Sequence, residues 1–327
     1  MKYQNTRVAG LGAARGLSLV EVLIAMLLGL VLMSAMVSAF LEGRRQSHRQ
    51  METARLQQHG RYALELLQRE LLMAGFQARW IGGEGVSPPP AAPDCGVATD
   101  WSLAPLPALG VIADVGAAGR TTVRGAALSC LPGPGGVLAG SDVLAVKRSA
   151  AEPTLEAGRF ADAVVAAKQS QWYLRLPGEG LSPAWRYVPE GGNFPAVDRA
   201  ASAVASYWES HAAIYFIRPF SSPGDGLPTL CVERLSANSM GPVECLVEGV
   251  EDLQIAFGID ADGDGVAERF TGVPDAAALD SATLARLTLR LRSLNRVPGE
   301  VADGYLRQTF HATVLLRNNA LFIDGGG

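Results

Sequence analysis

The sequence predicts an α+β protein, one long N-terminal helix followed by a domain built mainly of antiparallel strands. Three observations predict it. Val22 to Phe40 is a run of 19 residues without a charge, and the apolar pattern continues past it at helical spacing to Ala74 with no helix breaker. Near the other end, Leu287, Leu289 and Leu291 alternate with Arg286, Thr288, Arg290 and Arg292. Between them lie short apolar or aromatic pieces bounded by glycine and proline, the punctuation of strands and turns.

The uncharged run is long enough to cross a hydrocarbon core of about 30 Å as a helix. A polar leader carrying Lys2, Arg7 and Arg15 and no acid precedes it, as in an exported chain. An ordinary signal peptide would put small residues after the run, where Ser34, Ala35, Ser38 and Ala39 make only a weak cleavage pattern. Here Gly16 stands before it. Glu21 is the other anomaly, because a carboxylate inside a span costs a few kcal/mol and calls for a partner. Beyond Glu42, the cluster Arg44, Arg45, His48 and Arg49 makes both flanks basic, so charge alone does not orient the segment. Leu56, Ala63, Leu67, Leu71 and Ala74 then form a stripe that Tyr62, Leu66 and Met73 widen. Gly75 is the expected stop. A continuous helix from Leu17 to Ala74 would be nearly 90 Å long at about 1.5 Å per residue.

Residues 78–140 read as irregular, with Pro88, Pro89, Pro90, Pro93, Pro105, Pro107, Pro132 and Pro134. Trp101, Leu103, Leu106, Val111 and Ile112 nevertheless call for burial, which argues for an ordered loop region rather than a linker. Strands are expected at Asp142–Lys147, Gln171–Leu176, Trp185–Val188 and Ala213–Arg218. Thr229–Arg234 and Val243–Glu248 read as two arms of a hairpin. Phe310, Ala312, Val314 and Leu316 alternate with His311, Thr313, Leu315 and Arg317, giving a strand with one face on the core. The row Arg286, Arg290 and Arg292 reads as a solvated face rather than a binding stripe.

Formal net charge is −4, and −7 without the three positive leader side chains, which gives no bulk attraction for nucleic acid. The four cysteines, Cys95, Cys130, Cys231 and Cys245, show no zinc spacing and read as disulfides in an exported domain. Three pairings are open; the sequential one, Cys95–Cys130 and Cys231–Cys245, needs the shortest loops. His48, His59, His211 and His311 lie far apart, and no nucleophile elbow, phosphate loop or H-E-x-x-H motif occurs.

Asp260, Asp262 and Asp264 follow the D-x-D-x-D-G core of a calcium loop, with Gly265 for the sharp turn. The Val266 carbonyl and the Glu268 side chain fall at loop positions seven and nine. Position twelve is Thr271 instead of a bidentate glutamate, and a strand enters where a helix would, so the site is short of a ligand. The bland alternative is an acidic Asp-Gly hairpin turn. Arg269 is the nearby base, and its neighbour Phe270 reads as core-directed. The expected cofactor is therefore a structural Ca²⁺ and nothing else.

Gly16–Leu17–Ser18–Leu19–Val20–Glu21 resembles the class III leader of type IV prepilins, although Leu17 replaces the usual phenylalanine. The resemblance implies cleavage between Gly16 and Leu17 by a prepilin peptidase and methylation of the Leu17 amine. It makes Glu21 the fifth mature residue, which pairs with a neighbouring subunit's terminus. Two opposite charges in lipid are tolerable only as a pair. Three further segments resemble minor pilins of the PilW type: Arg69–Phe76, Val250–Ile255 with the aspartate loop after it, and Thr313–Asn318. That resemblance implies the pilin fold, the helix packed on an antiparallel sheet. It divides the chain into a leader (1–16), a membrane or fibre-core half-helix (17–41), an amphipathic half-helix (42–76) and a β-rich exported domain (77–327).

The implied role is a non-enzymatic subunit that helps initiate pilus assembly and sits at the tip. Its implied partners are other minor pilins, the major pilin and a large tip adhesin. It would stand in the inner membrane, single-pass with the C-terminal domain in the periplasm, and then in the fibre. Two alternatives remain at this point: a GspJ-like minor pseudopilin of a type II secretion system, and a signal-anchored periplasmic enzyme or binding protein, which would need a convergent polar pocket.

Overall fold

The computed structural model describes residues 16, 18–80, 102–103, 107–116, 122–123, 131–132, 135–162, 166–178, 182–236, 239–299 and 303–319. Leu17, Cys95, Trp101, Leu106 and Cys130 lie outside the described residues, and with them the Cys95–Cys130 pairing. The described elements run α1 (Leu19–Met73), β1 (Leu109–Ile112), β2 (Thr122–Val123), β3 (Val143–Ser149), β4 (Leu155–Glu156), β5 (Arg159–Phe160), β6 (Gln171–Leu176) and β7 (Ala184–Val188). They continue with β8 (Ser206–Arg218), β9 (Thr229–Ser236), β10 (Ser239–Met240), β11 (Glu244–Glu248), β12 (Val250–Ile259), β13 (Arg269–Thr271), α2 (Ala276–Asp280), β14 (Ala282–Arg292) and β15 (Arg307–Leu315). This is the expected α+β architecture, with every strand pairing antiparallel.

The chain divides into two compact units, residues 1–51 and residues 52–327. In the first, α1 is long and apolar enough to cross a membrane, and its large side chains are open, with Leu23 57 % and Leu28 57 % exposed. The second unit begins within α1 at Glu52 and takes in both sheets.

The larger sheet has the order β10-β9-β8-β3-β1-β2, with β11 on β9 and the small strands β4 and β6 on β8. β8 is its spine: its first residues pair with β4 and β6, and its later ones with β3 and β9. The smaller sheet has the order β13-β12-β14-β15. One core joins them. Leu56, Ala63, Leu67 and Leu71 of α1 pack with Leu144, Val146, Tyr215 and Val232 of the larger sheet and Leu253, Ile255, Leu287 and Leu289 of the smaller. Each fully buried leucine of that set contributes about 1.5–3 kcal/mol. The sheets are also pinned to each other where Ser141 and Asp142 meet β12. The Asp142 amide donates to the Leu253 carbonyl at 2.8 Å, and its carboxylate accepts from the Ile255 amide at 2.7 Å. Burial raises the pKa of Asp142 to about 6 against the bonds its carboxylate accepts from the Asp114 and Ile255 amides.

Two expectations need correction. Tyr62 does not widen the buried stripe: it is 53 % exposed, because a helical position one before Ala63 falls about 100° round the axis. The stretch 78–140 is not uniformly irregular, since β1 lies inside the larger sheet between β2 and β3 and is buried at all four residues. Four residues are too few for periodicity to announce a strand. The helix does end as expected. Gly75 takes a φ of 76°, in the left-handed region, and its amide donates to the Lys147 carbonyl at 2.9 Å, so the chain leaves α1 directly onto β3.

Candidate functional site

The residues singled out by sequence fall into three places. At the start of α1, the Val20 amide donates to Ser18 Oγ at 3.2 Å and the Ser18 amide donates to Glu21 Oε2 at 3.4 Å. This is a reciprocal capping box, and its signal was in the sequence as Ser18-x-x-Glu21. Glu21 thus satisfies an orphan backbone donor of its own helix in the single chain. Gly16 is exposed just before it.

The second place is the β12–β13 turn. Asp260, Asp262, Asp264 and Glu268 present carboxylate oxygens that all lie within 4.8 Å of one another. Asp260 is buried at the end of β12, while the other three are exposed. Hydrogen bonds within the loop shape it: Asp260 Oδ1 accepts from the Gly263 amide at 2.7 Å and its Oδ2 from the Gly265 amide at 2.8 Å. Asp264 accepts from the Val266 amide at 2.8 Å and Glu268 from the Ala261 amide at 2.7 Å. Gly265 has a φ of 87°, the left-handed turn the pattern called for. The donor set is all hard oxygen, which suits Ca²⁺ by chemistry. Thr271, at loop position twelve, is a β13 residue paired with Phe257, and its hydroxyl oxygen accepts from the Val273 amide at 3.2 Å. Phe270 is not core-directed: it is 39 % exposed, and the Arg286 guanidinium lies 4.2 Å from its ring centroid.

The third place is where the PilW-like segments meet. Glu70 takes Arg148 of β3 in a two-point ion pair, Nε to Oε2 at 2.9 Å and Nη2 to Oε1 at 3.0 Å. Burial opposes the Arg148 charge, but the hydrogen bonds and the field of Glu70 outweigh it and raise the guanidinium pKa. Asn318 Nδ2 donates to the carbonyls of Leu72 at 3.4 Å and Ala74 at 3.1 Å, capping the end of α1 from the far end of the chain. Asn319 Nδ2 does the same at the end of α2, donating to Leu279, Asp280 and Ala282 carbonyls at 2.9, 3.1 and 2.9 Å.

The sequence reading missed two further anchors of α1. Glu52 is 2 % exposed and accepts from the Asn295 amide at 3.2 Å and its Nδ2 at 2.8 Å. Gly60 lies against Phe310 of β15 so closely that a Cβ there would stand 2.2 Å from the ring. A charged residue and a glycine on an otherwise apolar stripe were the available signals.

The hairpin expected at 229–248 is present. Cys231 faces Cys245 across β9 and β11, and the two form a disulfide. A cavity of about 320 Å³ on the α1 side of the larger sheet is lined by Glu70, Arg148, Lys168, His211, Tyr215 and Arg234. Its charges are already matched: Glu70 holds Arg148, Glu209 holds Lys168 at 3.2 Å, and Glu244 holds Arg234. Burial, then Arg148, holds the pKa of His211 down at about 4. The cavity walls are thus a mutually satisfied ionic network rather than a set of groups converging on an empty point.

A search of curated proteins and a search of solved structures find no match. Residues 214–318 match the family model of type IV pilus-assembly protein W. The match runs from the middle of β8 to Asn318, and so covers the whole smaller sheet, the aspartate loop and the residue that caps α1. The resemblance carried by the C-terminal segments is thereby borne out: over these residues the chain is similar to type IV pilus minor pilins of the PilW type.

Proposed function

We propose that this chain is a structural, non-enzymatic minor pilin that helps initiate type IV pilus assembly and ends at the pilus tip. The observation that carries the proposal is the PilW match over residues 214–318 in a chain whose α1 is an open apolar rod over Leu19–Leu41. Prepilin peptidase cuts between Gly16 and Leu17, and the new Leu17 amine is methylated. Before assembly the protein is held in the inner membrane by α1 with the β-rich domain in the periplasm. In the assembled complex Glu21 exchanges its local bond to the Ser18 amide for the terminal amine of a neighbouring pilin, major or minor. The carboxylate is at the helix terminus in both states, so the exchange needs only a side-chain rotation. Ca²⁺ held by Asp260, Asp262, Asp264 and Glu268, with the Val266 carbonyl, stiffens the β12–β13 turn.

Three measurements test this. Glu21→Leu in the full chain leaves membrane insertion intact and abolishes incorporation into pili and co-purification with other minor pilins. Normal piliation by that variant overturns the proposal. Mass spectrometry of the exported protein reads a methylated Leu17 start; an intact Met1 overturns the processing step. For the loop, millimolar calcium raises the Tm of the full chain in detergent over the chelated sample, by about 2.7 kcal/mol of stability at a hundredfold excess over Kd. Equal melting with and without chelator leaves an acidic turn only.

A further inference from the structure

Glu233 stands in the middle of β9, directly opposite Ile214 of β8. Alternation puts it with Cys231 on the face of the larger sheet that looks away from α1, since Leu230 and Val232 join the α1 core and Cys231 does not. The surroundings on that face are Ala212, Ile214, Cys231, Leu235, Met240 and Val243. The residue is only 7 % exposed. Among the described residues no hydrogen-bond donor and no cation reaches its carboxylate, whereas the other buried carboxylates are all engaged: Glu52 by Asn295, Glu70 by Arg148, Asp142 by two amides, Asp198 by Arg175 and Asp260 by two amides of its own loop.

The charged groups of the neighbouring strands do not compensate it. Glu209 and His211 of β8 share the α1-side face with Ala213 and Tyr215. Arg234 and Glu244 are paired with each other on that same side. Lys147 of β3 is on Glu233's face but stands opposite Ala212, with β8 between the two. Arg218, farther along β8 on that face, stands opposite Thr229, and its guanidinium lies 4.4 Å from the Phe220 ring centroid. Burial alone raises the Glu233 pKa to about 7.

We propose that Glu233 makes the β9–β11 flank of the larger sheet a proton-responsive element, packed on β8 while the carboxyl is neutral and loosened from it when the carboxyl ionises. The Cys231–Cys245 disulfide ties β9 to β11, so the two strands respond as one unit. The neutral form suits the apolar setting, whereas the ionised form draws water or a cation toward that face, which loosening of the flank admits. The sign follows from linkage. The folded pKa lies above the unfolded value of 4.5, so the contribution to stability is complete below that pH and is lost as pH rises through about 7. An element set near neutrality on an exported domain would answer to the pH outside the cell.

The test is thermal melting of the full-length protein in detergent between pH 4.5 and 8, wild type beside Glu233→Gln. Asp142 and His211 titrate in both proteins, so the difference between the curves isolates Glu233. The expected result is that the wild-type folding constant falls relative to the variant by on the order of a hundredfold across that range. Parallel curves overturn the proposal. Hydrogen exchange on the wild type alone gives a second reading if the variant fails to fold. After correction for intrinsic rates, β9 and β11 amides lose at least tenfold protection relative to β14 between pH 5.5 and 8. Equal changes in β9, β11 and β14 overturn it as well.

Discussion

The two halves of α1 are the same secondary structure with two different surfaces. Over Leu19–Leu41 the helix is apolar on every side, and its large side chains are exposed. Over Glu52–Met73 it is apolar on one stripe, and Leu56, Ala63, Leu67 and Leu71 are 5 % exposed or less. A helix apolar all round asks for lipid or other helices, whereas a striped one asks for a single packed face. The polar residues differ accordingly. In the first half Glu21 bonds only its own helix end, and Ser34 and Ser38 bond back to carbonyls of their own turns. In the second half Glu52 and Glu70 reach across to Asn295 and Arg148. Helicity therefore says nothing about destination; the angular distribution of apolar residues does.

Substitutions along α1 would break or sharpen that contrast. The largest effect on stability is expected at Glu70. Its removal leaves the half-buried Arg148 without its carboxylate, costing up to about 3–5 kcal/mol in chemical denaturation, and Arg148→Met in the same chain should restore much of it. A Glu70→Ala protein as stable as wild type would show that the clamp contributes nothing. Next comes a matched pair of leucines. Leu67→Ala, at 0 % exposed, should cost about 2–5 kcal/mol, while Leu28→Ala should leave the melting of the β-rich unit within about 0.5 kcal/mol of wild type. Equal losses from the two would erase the distinction between the halves.

Gly60→Ala comes third. The added methyl collides with the Phe310 ring, and overpacking of that kind costs about 1–3 kcal/mol. Because the obstacle is one side chain, Phe310→Leu should recover part of the loss, and a double-mutant cycle reads the coupling. Additive losses would mean that the ring moves aside freely. The smallest effect belongs to Ser18→Ala, about 1 kcal/mol of local helix stability, seen as faster amide exchange at Val20 with no change in the Tm of the β-rich unit. Unchanged exchange would mean that Glu21 alone holds the first turn.

The contrast also marks where a sequence is legible. β6 was expected at the residues where it lies, and the Cys231–Cys245 staple was expected from short loops and an exported setting. Both rest on local pattern, which a single chain carries openly. β1 was missed because four residues between breakers have no period of their own; its place comes from pairing with β3 on one side and β2 on the other. Phe270 was misplaced for a related reason. An aromatic residue beside a turn ordinarily goes inward, but β13 is an edge strand and the ring finds its cover in Arg286 instead.

The sequence by itself determined the apolar rod, its Gly75 stop, the alternation of the late strands and the spacing of the aspartate loop. Each of these is a relation among residues a few positions apart, and backbone geometry translates such relations directly into structure. Only the tertiary structure decided what the charged residues on the helix were for. Glu52 and Asn295 are 243 residues apart, Glu70 and Arg148 78, and Asn318 and Ala74 244. Nothing within a helix turn or a strand distinguishes a carboxylate that will be clamped from one that will face water. The difference arises when the sheets close over α1, because a polar group taken out of water must find its partner wherever the fold has brought one.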